Sequence, residues 1–121
     1  MVDVVIVDDQ LPFRSVARAV VGLVGGWTVA GEADSGEDAL ALIARTRPEV
    51  VLMDINLPGI DGIEATRRLL ATAPATTVIL MSTYTDDDLP ADAADCGAAI
   101  YLRKEDLTPA ALRSLAPGSS R

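Results

Sequence analysis

Five short runs of mostly apolar residues alternate along the chain with segments of helical periodicity, and this alternation restricts the fold more than any other feature. The runs cover residues 2–7, 28–33, 49–53, 77–81 and 98–102. The first is apolar at nearly every position, as in a parallel strand that is buried on both faces. Strands that alternate with helices form a parallel sheet with helices on both faces. The pattern therefore predicts a doubly wound α/β domain of five βα units.

Apolar stripes and capping residues indicate where the helices lie. One stripe comprises Phe13, Val16, Ala17, Val20 and Val24, and another comprises Ile63, Thr66, Leu69 and Leu70. Ser35 and Asp61 begin capping-box patterns, and Thr108 precedes a proline in the first turn of a short last helix at about residues 109–115. Pro48 ends the second helix before the third strand.

The charge balance and residue types exclude several classes of function. Ten basic and eighteen acidic residues give the 121-residue chain a net charge of −8, which disfavours direct binding to nucleic acid or anionic membranes. The absence of histidine excludes histidine-based triads and most zinc sites. The single cysteine, Cys96, is consistent with a reducing compartment. We expect one domain at residues 1–116, followed by a tail or the start of a linker at residues 117–121.

Polar residues follow four of the predicted strands. They are Asp8 and Asp9 after the first strand, Asp54 after the third, Ser82 and Thr83 after the fourth, and Arg103 and Lys104 after the fifth. In an open parallel sheet, binding sites form beyond the carboxyl ends of the strands. We therefore expect one edge of the sheet to present three carboxylates, a hydroxyl group and the ammonium group of the only lysine.

Each of these groups also has an ordinary structural interpretation. Asp8 and Asp9 are suitable caps for the first helix. Asp54 and Asn56 are suited to local turns that lead into a Pro-Gly turn at residues 58–59. Three consecutive acids at residues 86–88 are typical of a helix N-terminus. The conjunction of so many reactive groups at one edge favours a shared site.

The chemistry of that shared site is suggested by the charges. Three neighbouring carboxylates repel one another, so either one is protonated or a divalent cation lies among them. Oxygen ligands of this kind favour Mg²⁺ or Mn²⁺. A cation, an ammonium group, a hydroxyl group and a carboxylate nucleophile together are suited to phosphoryl transfer.

Four motifs resemble the receiver domain of bacterial two-component response regulators. They are the aspartate pair at 8–9, DINLPGIDG at 54–62, MST at 81–83 and YLRK at 101–104. The segments 57–62 and 97–106 are most similar to those of the NarL/FixJ subgroup. The resemblance covers essentially the whole chain and implies a flavodoxin-like fold with the strand order 2-1-3-4-5.

The resemblance implies a role for each matching residue. Asp54 resembles the phosphoacceptor, and Ser82 and Lys104 resemble the groups that bind the phosphoryl group. The implied ligands of Mg²⁺ or Mn²⁺ are Asp8, largely through water, Asp9 directly, Asp54, and the backbone carbonyl of Asn56. The chain would then be a signalling switch that modifies only itself, and not an enzyme that turns over a substrate.

Further positions resemble those that control the switch. Tyr101 resembles the aromatic switch residue that acts with Ser82, and Asn56 and Tyr84 resemble the residues that control loss of the phosphoryl group. The implied phosphodonor is a sensor histidine kinase, and the lack of histidine here agrees with a donor histidine on another protein. The implied location of this chain is the cytoplasm. The helix after the fourth strand, the fifth strand and the last helix form the implied surface for a homodimer or an output domain, with transcription regulation as the implied output.

Three alternatives differ in specific residues. An aspartate-nucleophile phosphatase needs a second aspartate two residues after the first, where this chain has Asn56. A flavodoxin-type cofactor protein needs a glycine- and hydroxyl-rich loop after the first strand, where residues 8–12 read DDQLP. A receiver-like interaction module that is never phosphorylated would not require the complete set of site residues. Two departures from the commonest receiver pattern are Glu105 in place of proline and Ile100 in place of glycine. The sequence is equally compatible with a single-domain regulator and with the receiver of a longer protein.

Overall fold

The computed structural model describes residues 1–83 and 90–115, which form a five-stranded sheet with helices on both faces. The strands are β1 (Val2–Val7), β2 (Trp27–Ala33), β3 (Val50–Asp54), β4 (Thr77–Ser82) and β5 (Ile100–Arg103). The helices are α1 (Leu11–Gly22), α2 (Gly36–Thr46), α3 (Gly62–Thr72) and α4 (Pro109–Ser114). The strand order is β2-β1-β3-β4-β5 and every pairing is parallel. The predicted doubly wound, flavodoxin-like fold is confirmed.

Two apolar cores lie on the two faces of the sheet. Successive residues of β1 point to opposite faces, so Val5 and Val7 pack in the core beneath α2 and α3, whereas Val4 and Ile6 pack in the core beneath α1 and α4. All four side chains are fully buried. Burial on both faces explains why this strand is apolar at almost every position.

The stripe predicted for α1 is wrong at one position. Val16 is 53% exposed, whereas Val21, which the stripe omitted, is fully buried beside Ala17. Residues four apart share a helix face, so Val21 follows Ala17 into the core, and Val16 lies about 100° away around the axis. Val24 is buried as predicted, but it lies beyond the end of the helix at Gly22.

Capping residues fix the ends of the other helices. Ser35, Asp61 and Thr108 each accept a hydrogen bond from the backbone N–H three residues later, as the sequence predicts. Arg47 ends α2 with a φ of 48°, a left-handed conformation immediately before Pro48.

Three strands extend further towards their carboxyl ends than predicted. Asp54 is the last residue of β3, Ser82 is the last of β4, and β5 occupies Ile100–Arg103 and not 98–102. The backbones of Asp54 and Ser82 are therefore held by strand pairing. This places both side chains more rigidly than loop positions would.

Some expectations fall on residues that the structure does not describe. Tyr84, the acids at 86–88 and the tail at 117–121 lie outside the described residues. Between β4 and β5, the described residues contain a short 3₁₀ helix at Ala91–Asp95. Among the helices of residues 1–83 and 90–115, none has the length and apolar character needed to cross a membrane.

Candidate functional site at the carboxyl edge of the sheet

Asp54 occupies the centre of the carboxyl edge because β3 is the middle strand of the sheet. The residue is 2% exposed, and its Oδ1 accepts a hydrogen bond from the backbone N–H of Asn56 at 3.3 Å. The N–H of Gly62, the first residue of α3, donates to the carbonyl of Ile55 at 2.8 Å. The start of α3 is thus bound directly to the chain that follows Asp54.

Asp8 lies beside Asp54 because β1 and β3 are neighbours. It is fully buried, and its Oδ1 accepts a hydrogen bond from the N–H of Gln10 at 2.8 Å. Gln10 is the N-cap of α1 and makes no side-chain cap, so the aspartate pair does not serve as the cap that its position suggested. Asp9, the second member of the pair, is exposed.

Lys104 joins the two buried carboxylates. It begins a 3₁₀ turn directly after β5, and its Nζ lies 2.6 Å from Oδ2 of Asp8 and 3.5 Å from Oδ2 of Asp54. The lysine side chain is 12% exposed. Charges buried to this extent are normally paired, and the ammonium compensates in part for two adjacent carboxylates.

The environment of Asp54 changes its acidity. Burial, followed by repulsion from Asp8, raises the pKa of this carboxyl from 3.8 to about 6, against the opposing effects of Lys104 and the N–H of Asn56. At pH 7 the group is therefore mostly an ionised, poorly hydrated carboxylate. Such a carboxylate is available as a nucleophile without a separate general base.

The acidic cluster fits a divalent cation. Asp8, Asp9 and Asp54 each offer an oxygen, and these three atoms lie within 4.8 Å of one another. Oδ2 of Asp8 is buried and accepts no hydrogen bond from the described residues, although it has its ion-pair partner Lys104. Hard oxygen donors with one exposed member suit Mg²⁺ or Mn²⁺, which retain several water ligands.

Ser82 on β4 and Tyr101 on β5 lie on the opposite side of Asp54 from Asp8, because β4 and β5 follow β3 in the sheet and β1 precedes it. Ser82 is fully buried at the end of β4, and its Oγ lies 3.2 Å from the hydroxyl oxygen of the half-buried Tyr101 on β5. The two residues predicted to act together as a switch are therefore in contact. Ile100 is 39% exposed and its side chain points away from the face that Tyr101 occupies, as successive strand residues do.

The remaining predicted residues lie at the rim of the site. Asn56 and Thr83 are exposed, and Arg103 forms an ion pair with Glu105. The peptide bond before Glu105 is trans, as are all the peptide bonds of the described residues.

Two residues of the site were not predicted from the sequence. The ring of Phe13 lies against the ammonium of Lys104, with its centroid 4.5 Å from Nζ, yet Phe13 was predicted only as part of an apolar stripe. Arg14 donates from Nη1 to the backbone carbonyl of Asp8 at 2.6 Å and forms an ion pair with Glu32. Only the docking of α1 on the end of β1 brings these two side chains to the site.

In the metal-free protein, we expect the contribution of Asp54 to stability to be lost as the pH rises from 3.8 to about 6. In this range folded Asp54 holds its proton more tightly than the unfolded chain does, so this residue's contribution to the free energy of unfolding falls with pH. The stabilisation is complete below pH 3.8, is lost as the pH passes about 6, and amounts to at most about 3 kcal/mol. Denaturant titrations in a chelating buffer should show that the free energy of unfolding of Asp54→Asn increases relative to that of the parent as the pH rises from 3.8 to about 6. A difference that is independent of pH would contradict the assignment.

The sheet order, the acidic cluster and the buried lysine define a receiver-type α/β domain, and comparison with known proteins supports this class. The sequence model of the response regulator receiver domain family matches residues 4–115. The chain is 39% identical over 104 residues to response regulator GacA of Pseudomonas aeruginosa, covering 86% of this chain and 49% of the relative. It is 38% identical over 104 residues to response regulator UvrY of Escherichia coli K12, covering 86% and 48%.

Solved structures agree with these relatives. A signal receiver domain from Mycobacterium tuberculosis, assigned to response regulator NarL, has a TM-score of 0.83 at 33% identity and covers 94% of this chain and 95% of that one. A LuxR-family two-component response regulator from Aurantimonas sp. SI85-9A1 has a TM-score of 0.84 at 30% identity, covering 93% and 79%. The chain therefore belongs to the response regulator receiver family, and its relatives are of the NarL/FixJ type. It spans about half the length of the curated relatives it matches.

Proposed function

We propose that the chain is a phosphoacceptor switch that receives a phosphoryl group on Asp54. The observation that carries the proposal is the ammonium of Lys104, which forms ion pairs with the buried carboxylates of both Asp8 and Asp54. A carboxylate that is poorly hydrated and adjacent to a fixed positive charge is suited to attack on a phosphorus atom, whose oxygens the same charge can stabilise.

The phosphoryl group passes from the donor to Asp54. An oxygen of Asp54 forms a bond to phosphorus while the bond from phosphorus to the donor breaks, and the donor atom keeps the electron pair and later takes up a proton. Lys104 stabilises the phosphoryl oxygens, and the hydroxyl of Ser82 donates a hydrogen bond to one of them. The product is an acyl phosphate on Asp54.

A divalent cation is the implied partner of this chemistry. Asp8, Asp9, Asp54 and the backbone carbonyl of Asn56 would hold Mg²⁺ or Mn²⁺, with Asp9 as the direct acidic ligand and Asp8 acting largely through water. When bound, the cation supplies positive charge that offsets the phosphoryl oxygens. Asn56 and Tyr84 then govern how readily water reaches the acyl phosphate.

Ser82 and Tyr101 respond to the negative charge of the phosphoryl group on Asp54. A charge-assisted bond from Ser82 to the phosphoryl group is stronger than its present contact with the Tyr101 hydroxyl, so phosphorylation alters the position of the ring. The ring change reaches the edge strand β5, the last helix α4 and the 3₁₀ helix at Ala91–Asp95 that precedes β5. This surface is where we place the second copy or output domain.

The donor and output follow from the family. We assign the phosphodonor as the phosphohistidine of a sensor kinase and the setting as the cytoplasm. The relatives are response regulators of which this chain spans about half the length, and we propose transcription regulation through an output region or partner. The net charge of −8 disfavours direct DNA binding by this segment. A general phosphatase reaction is disfavoured because Asn56, two residues after the nucleophile, cannot act as an acid.

The proposal is tested with a small donor. Incubation with Mg²⁺ and acetyl phosphate should increase the intact mass by one phosphoryl group, and reductive trapping of the acyl phosphate should mark Asp54. Phosphate on a hydroxyl residue, or steady hydrolysis of a generic phosphomonoester, would refute the proposal. No gain in mass would favour the receiver-like module that is never phosphorylated.

Replacing Ser82 by alanine should separate phosphorylation from its consequence. We expect Ser82→Ala to accept the phosphoryl group, because the nucleophile and Lys104 remain, but to lose the conformational response in β5 and α4. Amide NMR shifts of these elements, recorded before and after phosphorylation, measure that response.

The matched control is Thr83→Ala, which removes the neighbouring exposed hydroxyl and should keep both properties. A Ser82→Ala chain with the full set of shift changes would show that the signal reaches β5 by another route.

A further inference from the structure

We propose that Phe13 is a positioning residue whose aromatic face holds the ammonium of Lys104 at the two buried carboxylates. The inference rests on the proposed function, since it assigns Phe13 a part in phosphoryl transfer. It concerns a residue whose sequence pattern indicates only a place in the apolar face of α1.

Three groups surround one nitrogen atom. Nζ of Lys104 lies 2.6 Å from Asp8 Oδ2, 3.5 Å from Asp54 Oδ2 and 4.5 Å from the centroid of the Phe13 ring. A cation within about 6 Å of a ring centroid is attracted to the negative face of the ring. The ring therefore occupies one side of the ammonium group, and the carboxylates occupy the others.

The ammonium group needs such a partner because the flexible side chain of Lys104 does not fix its position. Four rotatable carbons separate Nζ from a backbone that stands at the edge of the sheet, after β5. When Asp54 is phosphorylated, its carboxylate loses its negative charge and the phosphoryl oxygens carry the charge instead. The ammonium of Lys104 must then turn towards those oxygens. A ring face attracts a cation without requiring one hydrogen-bond direction, and it can hold the ammonium before and after that turn.

The ring is itself fixed by the start of α1. The N–H of Phe13 donates to the carbonyl of Gln10 at 3.1 Å. Arg14, the next residue, binds the carbonyl of Asp8 and pairs with Glu32 on β2. These contacts tie the first turn of α1 to the end of β1, so the ring keeps its place relative to the acidic cluster.

An ordinary packing role predicts something different. Phe13 is half-buried and packs against the core beneath α1, and a leucine would supply much of the same apolar contact. Only an aromatic ring supplies the cation contact, so Phe13→Leu and Phe13→Tyr should diverge if the contact matters. Val20, another half-buried residue of α1 against the same core, lies about two helical turns further along α1 than Phe13 and provides the control Val20→Ala.

The first measurement needs no phosphodonor. Lys104 is the only lysine of the chain, so lysine labelled with ¹³C at the ε carbon gives a single signal. Its ε protons should be shifted upfield by the ring in the parent and in Phe13→Tyr, and should return to the ordinary position in Phe13→Leu. An unshifted signal in the parent, or a shift retained in Phe13→Leu, would overturn the placement.

The second measurement is the rate of phosphorylation by acetyl phosphate with Mg²⁺. Phe13→Leu should lower the rate by about threefold to tenfold, the range expected for loss of a partly exposed cation–π contact, and Phe13→Tyr should restore most of it. Val20→Ala should lower the melting temperature without lowering the rate. Equal rates for Phe13→Leu and the parent, or an equal loss in Val20→Ala, would overturn the inference.

The two measurements separate this inference from the proposed function. A parent chain that shows the shifted lysine signal but takes no phosphoryl group would defeat the proposed function and still support the placement of Lys104 by Phe13. A parent chain that is phosphorylated but shows an unshifted lysine signal would support the proposed function and defeat the placement of Lys104 by Phe13.

Discussion

Asp54→Asn is expected to abolish phosphorylation by acetyl phosphate while the fold stays intact and becomes more stable. Asparagine has nearly the same shape but lacks the anionic oxygen that attacks phosphorus, so the nucleophile is lost. The same change removes the charge of a residue that is only 2% exposed and whose carboxyl pKa is raised to about 6. At pH 7 without metal, the free energy of unfolding should therefore rise by at most about 3 kcal/mol. Intact mass and denaturant titration measure the two effects.

The control for this variant comes from the loop that follows β3. Asp61→Asn is also a change from aspartate to asparagine, a few residues further on, at the exposed N-cap of α3. Asparagine caps helices as well as aspartate does, so both phosphorylation and stability should stay close to the parent values. Phosphate incorporation that survives in Asp54→Asn would assign the nucleophile to another residue.

The sequence predicts the site well where the strands determine the geometry. Asp8, Asp54, Ser82 and Lys104 follow or end four parallel strands, and parallel strands bring their carboxyl ends to the same edge whatever packs around them. Their proximity could therefore be predicted without knowing a single side-chain contact. Their chemical roles stay predictions until phosphorylation is measured.

The sequence predicts less where the helices determine the geometry. Val16 and Val21 have equivalent side chains, and the face that α1 turns towards the sheet decides that the first is exposed and the second is buried. Phe13 meets Lys104 for the same reason, since 91 positions along the chain separate the two residues and no local pattern connects them. Docking angles depend on the packing of the whole interface and have no short sequence signature.

Gly62 shows a second kind of feature that sequence patterns miss, namely close approach of two backbones. A β carbon at this position would lie 2.0 Å from the carbonyl oxygen of Asp54 and 2.9 Å from the Cα of Ile55. Neither atom can move aside as a flexible side chain does, because both belong to the backbone at the end of β3. Gly62 belongs to a capping pattern and to the receiver-like motif at 54–62, and neither predicts that this close contact requires glycine.

Gly62→Ala is accordingly expected to destabilise the protein strongly and to displace the site. Alanine favours a helix by about 1 kcal/mol over glycine, but the clash forces α3 away from β3 and should cost about 3 kcal/mol or more. The displacement also weakens the bond from the N–H of residue 62 to Ile55, which helps to hold the chain after Asp54. Both the denaturation midpoint and the rate of phosphorylation should fall.

The matched control for Gly62→Ala is Gly22→Ala at the last residue of α1. A β carbon there would meet no atom within 4 Å, so the helix preference of alanine acts alone and stability should stay the same or rise slightly. The two variants make the same chemical change at two helical glycines and differ in what faces the new methyl group. If Gly62→Ala is as stable as Gly22→Ala, then α3 can shift without cost, and the close contact with β3 does not position Asp54.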